Sequence, residues 1–581
     1  MPEREPTCIG RVRHVLGATV TVELDESLAG VAPLWQGRLQ PIGQVGSLVR
    51  IPQGPVNLIA TVTLVGIAEL AGALSPSPNS QSGERWLQVQ LLGEVDGLGR
   101  FNRGVSTYPG LDDAVHFTTK EDLDSVFPKP SPDHAPIGFL AAAPDVAVTL
   151  LANRLVTRHS AVVGSTGSGK TSAVATILQS FLNGGWTSAN IVVIDPHGEY
   201  AAAVPTKAAV RSVLSKDGRL LRVPFWALPA ADVFRAFCVG IESPTAIKRF
   251  SDLVTEARRS FASAAKWLTV EDAAINSDTP IPFDIRSVWF KFDYENKATY
   301  EKPNGQGAVQ VSAEGDAAKL QSAVFKQYSP TNTAPYKGPN FGIYGTAPEL
   351  IRQRLLDERY RFFLEPSADP NGDDPLPSIL NEWLGVENPV SVLDFSGVPS
   401  EMSDLAIGVV LQLLFDVAIH SPADAGIGRS RPVLIVLEEA HRYLGEGPTN
   451  KLARTAANRI AREGRKYGVG LMLVTQRPSE LPDTALSQCG TIVALRLTNS
   501  GDQSTVKAAL PDSVAGLADA LPSLRTGEAL ISGEAVTLPT RALLTMPSPP
   551  PSANDPTLAS WRKGPQKNTV EAAVAAWRGF K

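Results

Sequence analysis

Three cysteines, four methionines and seven histidines are all that 581 residues contain. Cys8, Cys238 and Cys489 are too few and too scattered for a disulfide framework or a zinc site, which fits a reducing cytosol. A basic excess is also missing. Fifty-four Lys and Arg stand against 59 Asp and Glu, a formal charge of −5, so any contact with nucleic acid has to come from a local patch or from assembly. The opening "MPEREPTCIG" has no apolar signal-peptide core. The best candidate for a membrane span, Leu405 to Ile419, is about fifteen residues long, short for a bilayer. It carries Gln412 and Asp416 and reads as a buried amphipathic helix, so the expectation is a cytoplasmic protein with no membrane partner.

The 43% of hydrophobic residues suffices for a large core, and the length suggests several domains. Residues 1–130 carry short β-rich runs, such as "CIGRVRHVLGATVTVELD" around Gly17 and "GSLVRIPQGPVNLIATVTLVGI" around Gly54. With Gly and Pro turns at roughly ten-residue spacing, these runs predict a small β-barrel. Polar "SPSPNSQSGE" at 75–84 reads as a hairpin tip or loop, and "FPKPSPDHAP" at 127–136 as a hinge. From there strands and helices alternate. Strands are expected at 160–163, 190–195, 390–395, 432–438, 469–475 and 491–497, all nearly continuous apolar runs suited to parallel strands covered on both faces. Helices are expected at 172–183, 402–420 and 449–466. The fold class is α/β, with a core in two parts, 131–206 and 386–545, interrupted by a largely helical insertion at 207–385. Residues 546–581 read as a linker and a tail helix.

The stretch "AVVGSTGSGKTSAV" fits G-x-x-x-x-G-K-[ST] in full, between a strand and a helix. Gly164, Ser165, Thr166, Gly167, Ser168, Gly169, Lys170, Thr171 and Ser172 form the phosphate cradle. Its glycines let backbone N–H groups turn inward, at a helix end that carries partial positive charge. Lys170 is expected on the β- and γ-phosphates of ATP and Thr171 on Mg²⁺. A second stretch, "RPVLIVLEEAHRYL", brings Glu438 and Glu439 to the end of a buried strand, where open α/β sheets bind ligands. Alone, such a pair can be a solvated helix start. Beside a P-loop it reads as Glu438 acting on Mg²⁺ through a bound water and Glu439 as catalytic base. A third, "GVGLMLVTQRPSEL", ends a strand in Gln476, placed to sense the γ-phosphate or hold the lytic water, or simply a loop residue. The fourth, "LARTAANRIAREGRKYG", is a strongly basic helix. It is either a solvated face or the carrier of an arginine finger, with Arg465 the first choice and Arg462 the second. The segment from Arg442 to Arg459, with Arg442, Lys451, Arg454 and Arg459, or the turn after Tyr200 with Lys207, is the candidate to face DNA.

In this order, "GSTGSGKT", "IDPHGEY", "LEEAHRYL", "AREGRKYG" and "VTQRPSEL" resemble the HerA family of the FtsK–HerA superfamily. The resemblance implies a RecA-like P-loop NTPase core behind a barrel of the HAS type. It further implies a homohexamer that threads double-stranded DNA as an ATP-driven translocase or helicase. It places Glu439 as the catalytic acid, Gln476 as sensor, Arg465 as a finger acting in trans and Arg158 as a second arginine near the nucleotide. It also sets Asp195, His197 and Glu199 near the site. Relatives work with a nuclease or a sirtuin-like effector in DNA processing or antiviral defence, and no nuclease motif lies in this chain, so such a partner is expected to dock on the barrel side. A ring scaffold that regulates an effector with little translocation is the alternative.

Overall fold

A computed structural model of the chain describes residues 7–25, 28, 34–35, 38–39, 43–67, 85–127, 129–204, 208–213, 215, 219–331, 333–364, 368–385, 388–397, 400–424, 426–445, 451–511, 514–552, 558–563 and 570–578. The polar stretch at 75–84 and Lys207 lie outside the described residues.

In the N-terminal part, alternating apolar residues build a closed ring. Strands Cys8–Leu16, Thr19–Leu24, Arg85–Val95, Val56–Ile67, Leu48–Gln53 and Ala114–Phe117 pair in that order, all antiparallel, and the last returns to the first. Their inward positions, among them Val12, Val20, Ile51, Leu58, Leu87 and Val115, form a separate apolar core. The barrel thus has no free edge in its ring. A short strand, Phe101–Arg103, pairs outside the ring on Arg85–Val95. From it Arg103 donates to the carbonyls of Thr537 and Gly533, both at 2.7 Å, which fastens barrel to core.

The core is one sheet of eleven strands. Its parallel part runs Thr491–Ala494, Ser160–Val163, Val469–Thr475, Val433–Leu437, Asn190–Asp195, Val390–Asp394 and Ala208–Ser212. The strands Glu528–Gly533, Thr540–Leu544, His134–Leu140 and Ala143–Leu151 extend it antiparallel beyond Thr491–Ala494. All six strands expected from the apolar runs are present, three of them trimmed by one to three residues at their ends. Helix Lys170–Asn183 starts two residues before its expected position, at the P-loop lysine itself. Helix Ser400–His420 is longer than the run read from sequence, and its Met402–His420 portion has the length and apolarity to cross a membrane. In the fold 72% of that portion is buried, packed on helix Lys451–Tyr467. Gly408 makes the approach possible, since a Cβ there would sit 2.9 Å from the Ala453 nitrogen.

The segment expected as a largely helical insertion begins with a core strand, Ala208–Ser212, at the sheet edge. Beyond it, helices Ala230–Phe237, Pro244–Ala264, Ile285–Lys297 and Ala347–Leu356 enclose an aromatic cluster of Trp226, Phe234, Phe250, Trp289 and Phe292. Buried Arg258 donates to the carbonyls of Trp226 and Leu228, at 2.8 and 2.7 Å, so backbone carbonyls rather than a carboxylate hold its guanidinium, while its Nε has no hydrogen-bond partner. Within 296–345, where the sequence shows no period, lie two small antiparallel sheets of three and two strands.

After the last core strand, the proline-rich stretch runs along the P-loop helix. Thr176 Oγ1 donates to the Thr545 carbonyl at 2.7 Å and Gln179 Nε2 to that of Pro549 at 2.7 Å. Ser548 N–H reaches Gln179 Oε1 at 2.8 Å, and Ser552 N–H reaches the Glu199 carbonyl at 2.9 Å.

Candidate nucleotide site

The P-loop leaves strand Ser160–Val163 and turns at Gly167 and Gly169, whose φ values of +72° and +101° lie in the left-handed region. Gly169 caps helix Lys170–Asn183 without a side-chain bond, so the first helical N–H groups stay free for an anion. The loop is braced from two neighbours: Ser165 N–H bonds the Arg496 carbonyl at 2.8 Å, and Gly527 N–H the Ser168 carbonyl at 3.1 Å. Lys170 is largely enclosed. Burial pulls its ammonium pKa down, and the fields of Glu439, Glu438 and Glu199 push it back up.

Strand Val433–Leu437 is wholly buried and delivers two acids at its C-terminal end. Glu438 is only 4% exposed, and burial, with Glu439 and Asp195 nearby, raises its carboxyl far above the ordinary range. Neither Glu438 Oε2 nor Glu439 Oε2 has a hydrogen-bond partner. Glu439 holds a left-handed backbone, φ +51°, as the cap of helix Ala440–Leu444. For a residue with a Cβ this costs about 1–3 kcal/mol, a strain characteristic of functional positions. His441 Nδ1 lies 3.3 Å from Glu439 Oε2 and 3.0 Å from Thr475 Oγ1, and burial lowers its pKa. Gln476, one residue past strand Val469–Thr475, accepts a hydrogen bond from Thr166 Oγ1 at 2.6 Å.

The adjacent strand ends in Asp195. Its carboxylate accepts the N–H groups of His197 at 3.2 Å, Gly198 at 2.8 Å and Tyr200 at 3.0 Å. Burial lifts its pKa to about 6 against the opposing pull of these bonds. The loop so folded carries Glu199, which accepts from Thr171 Oγ1 at 2.9 Å, while His197 is exposed. The P-loop, Glu438, Glu439, Gln476 and Glu199 therefore meet at the C-terminal edge of the sheet.

Two expected residues do not join them. Arg158 precedes strand Ser160–Val163 and Arg465 precedes strand Val469–Thr475, so both lie at the N-terminal edge. A seven-residue strand spans about 23 Å, which separates Arg465 from its own P-loop. Arg158 instead lies 3.6 Å from Glu534, while Arg462 and Arg465 are exposed and form no ion pair among the described residues. Buried His159 fixes this edge, accepting Leu471 N–H at Nδ1 (3.0 Å) with Nε2 on the Ala461 carbonyl (3.1 Å). Of the groups considered for DNA, Lys451 is paired with Glu242 at 3.0 Å. Arg459 is paired with Asp416 at 3.0 Å.

Sequence reasoning missed His441. Its signal is the position two residues after Glu439, but its contact with Thr475 joins a short helix to a separate strand. No cluster of three or more His, Cys, Asp or Glu suited to a metal occurs among the described residues. Mg²⁺ at a P-loop needs no such cage, since it takes one or two protein oxygens and completes its shell with phosphate and water. The Thr171 hydroxyl and the unpartnered Glu438 Oε2 are hard oxygen donors of that kind.

A parallel sheet with a phosphate loop, an acidic strand end and a polar amide on its C-terminal edge defines a P-loop ATPase with a RecA-like core. The family model "Helicase HerA, central domain" matches residues 135–414, and "Helicase HerA-like C-terminal" matches residues 390–572. The chain belongs to the HerA family. The DNA double-strand break repair helicase HerA of Pyrococcus furiosus is 26% identical over 484 residues, 78% of this chain and 76% of that protein. Its namesake from Sulfolobus acidocaldarius is 34% identical over 189 residues, 32% of this chain and 38% of the relative. The structure of VirB4 from Thermoanaerobacter pseudethanolicus covers 72% of this chain and 97% of its own at 11% identity, with a TM-score of 0.46.

Proposed function

We propose that the chain is a cytoplasmic, hexameric, ATP-driven translocase or helicase on double-stranded DNA, working with a nuclease or sirtuin-like effector. One observation supports the ring: the phosphate-binding groups and Arg462 and Arg465, unpaired among the described residues, occupy opposite edges of one sheet, an arrangement in which a neighbour can supply the arginine. Lys170 and the P-loop amides hold the phosphates, and Thr171 and Glu438 hold Mg²⁺, which screens the phosphate charge. Glu439 takes the proton of the attacking water, Gln476 positions that water, and Arg465 from the adjacent subunit faces the transferring phosphoryl group. The relatives named as DNA repair helicases support the DNA substrate. Exposed Leu16, at the end of strand Cys8–Leu16, and Leu98, Tyr108 and Leu111, on loops, support effector docking on the barrel.

The test is ATP turnover and strand displacement by the purified protein, with sedimentation to define the assembly. A hexamer whose turnover rises with duplex DNA, and falls steeply with salt, supports this reading. A ring that hydrolyses ATP with no response to DNA, even with its effector present, makes it a scaffold.

A further inference from the structure

The acid bonded to the P-loop hydroxyl is not at the end of the acidic strand. It is Glu199, from the loop after the neighbouring strand. We propose that Glu199 is a positioning residue of the ATP site: its carboxylate holds the Thr171 hydroxyl with the lone pairs turned toward Mg²⁺. The inference rests on the ATPase reading.

A hydroxyl has one proton and two lone pairs. Thr171 Oγ1 gives its proton to Glu199 Oε2 at 2.9 Å, which leaves the oxygen free to ligate a cation. The loop that presents Glu199 is held twice over. Asp195 gathers the N–H groups of His197, Gly198 and Tyr200, and the C-terminal segment donates Ser552 N–H to the Glu199 carbonyl. A second, independent observation points to a ligand here. Glu438 is buried, and its Oε2 has no partner, an arrangement that costs about 1–3 kcal/mol unless a ligand completes it. Glu438 and Glu199 then divide the work, one near the metal shell and one behind its threonine ligand.

The experiment titrates Mg²⁺ into the full-length protein with a fluorescent non-hydrolysable ATP analogue and reads half-saturation, with the affinity in EDTA as the control for the fold. Glu199→Ala is expected to raise the Mg²⁺ half-saturation about tenfold, with the affinity in EDTA unchanged. Glu199→Gln, whose amide oxygen still accepts from Thr171, is expected to stay within about threefold of wild type. Combined with Thr171→Ala, Glu199→Ala should add nothing, since the two act as one unit. An unchanged half-saturation in Glu199→Ala overturns the proposal, as does additivity with Thr171→Ala. A Glu199→Gln defect equal to that of Glu199→Ala overturns the positioning role and makes the carboxylate itself a metal ligand. Failure of the wild type to bind the analogue at all would instead strike the ATPase reading.

Discussion

Thr166 and Gln476 touch across the mouth of the nucleotide site, with the threonine hydroxyl donating to the glutamine carbonyl oxygen at 2.6 Å. The contact joins the tip of the phosphate loop to the end of the next strand, so the amide proposed to sense the γ-phosphate already rests on the phosphate loop. Gln476→Ala is expected to leave nucleotide affinity within a few-fold and to lower kcat by about 10²-fold, the usual loss for one oriented polar group. Equal losses in affinity and turnover would make Gln476 a binding residue.

The acids separate by the same logic. Glu439→Gln keeps size and removes the base, so ATP should bind and persist while turnover drops by about 10²- to 10⁴-fold. Lys170→Ala should lose nucleotide binding itself. Single-turnover quench-flow with filter binding distinguishes the two, and near-normal hydrolysis by Glu439→Gln would pass the base role to Glu438.

For the arginines, the measurement is on mixtures. Arg465→Ala and Lys170→Ala subunits, each inactive alone, should regain turnover when mixed, because one kind of interface then pairs an intact P-loop with an intact arginine. Absence of rescue after proven subunit exchange transfers the role to Arg462, which has the same exposure on the same helix.

His159 sets a pH dependence. It is buried, bridges Leu471 N–H and the Ala461 carbonyl, and burial holds its pKa below the ordinary 6.5. The folded state therefore binds fewer protons than the unfolded one, and stability is present above that value and lost as pH falls through it. His441 is lowered in the same direction and adds to the loss. Melting temperature should decline from pH 7 to pH 5, and His159→Asn should reduce that slope while lowering stability at pH 7 by about 1–3 kcal/mol through broken buried bonds. An unaltered slope in His159→Asn would exclude it as the titrating group.

The central strands were legible because "VLIVL" or "NIVVID" is buried on both faces and leaves no polar position to interrupt the run. Edge strand Ala208–Ser212 was not, since every residue in it is only half-buried and Arg211 and Ser212 break the pattern. The P-loop and the acid pair were readable as local spacing. The Thr171–Glu199 bond was not, because it joins residues 28 apart through a turn that Asp195 builds. The stretch "TMPSPPPS" reads as a linker from its prolines. It docks on Thr176, Gln179 and Glu199 through backbone groups, as both donor and acceptor, and such groups leave no mark in sequence. Arg158 and Arg465 were readable as residue types, while the edge they occupy follows only from strand direction.

That placement makes the number of working sites a matter of arithmetic on the assembly. If Arg465 acts on a neighbour's nucleotide as proposed, an isolated chain owns two half-sites and no whole one. An open row of subunits always has one fewer complete site than it has chains, and only closure makes the two counts equal. Specific activity per chain should therefore climb with assembly size and level off at ring closure, so a plain dilution series of ATP turnover reports whether the ring is shut.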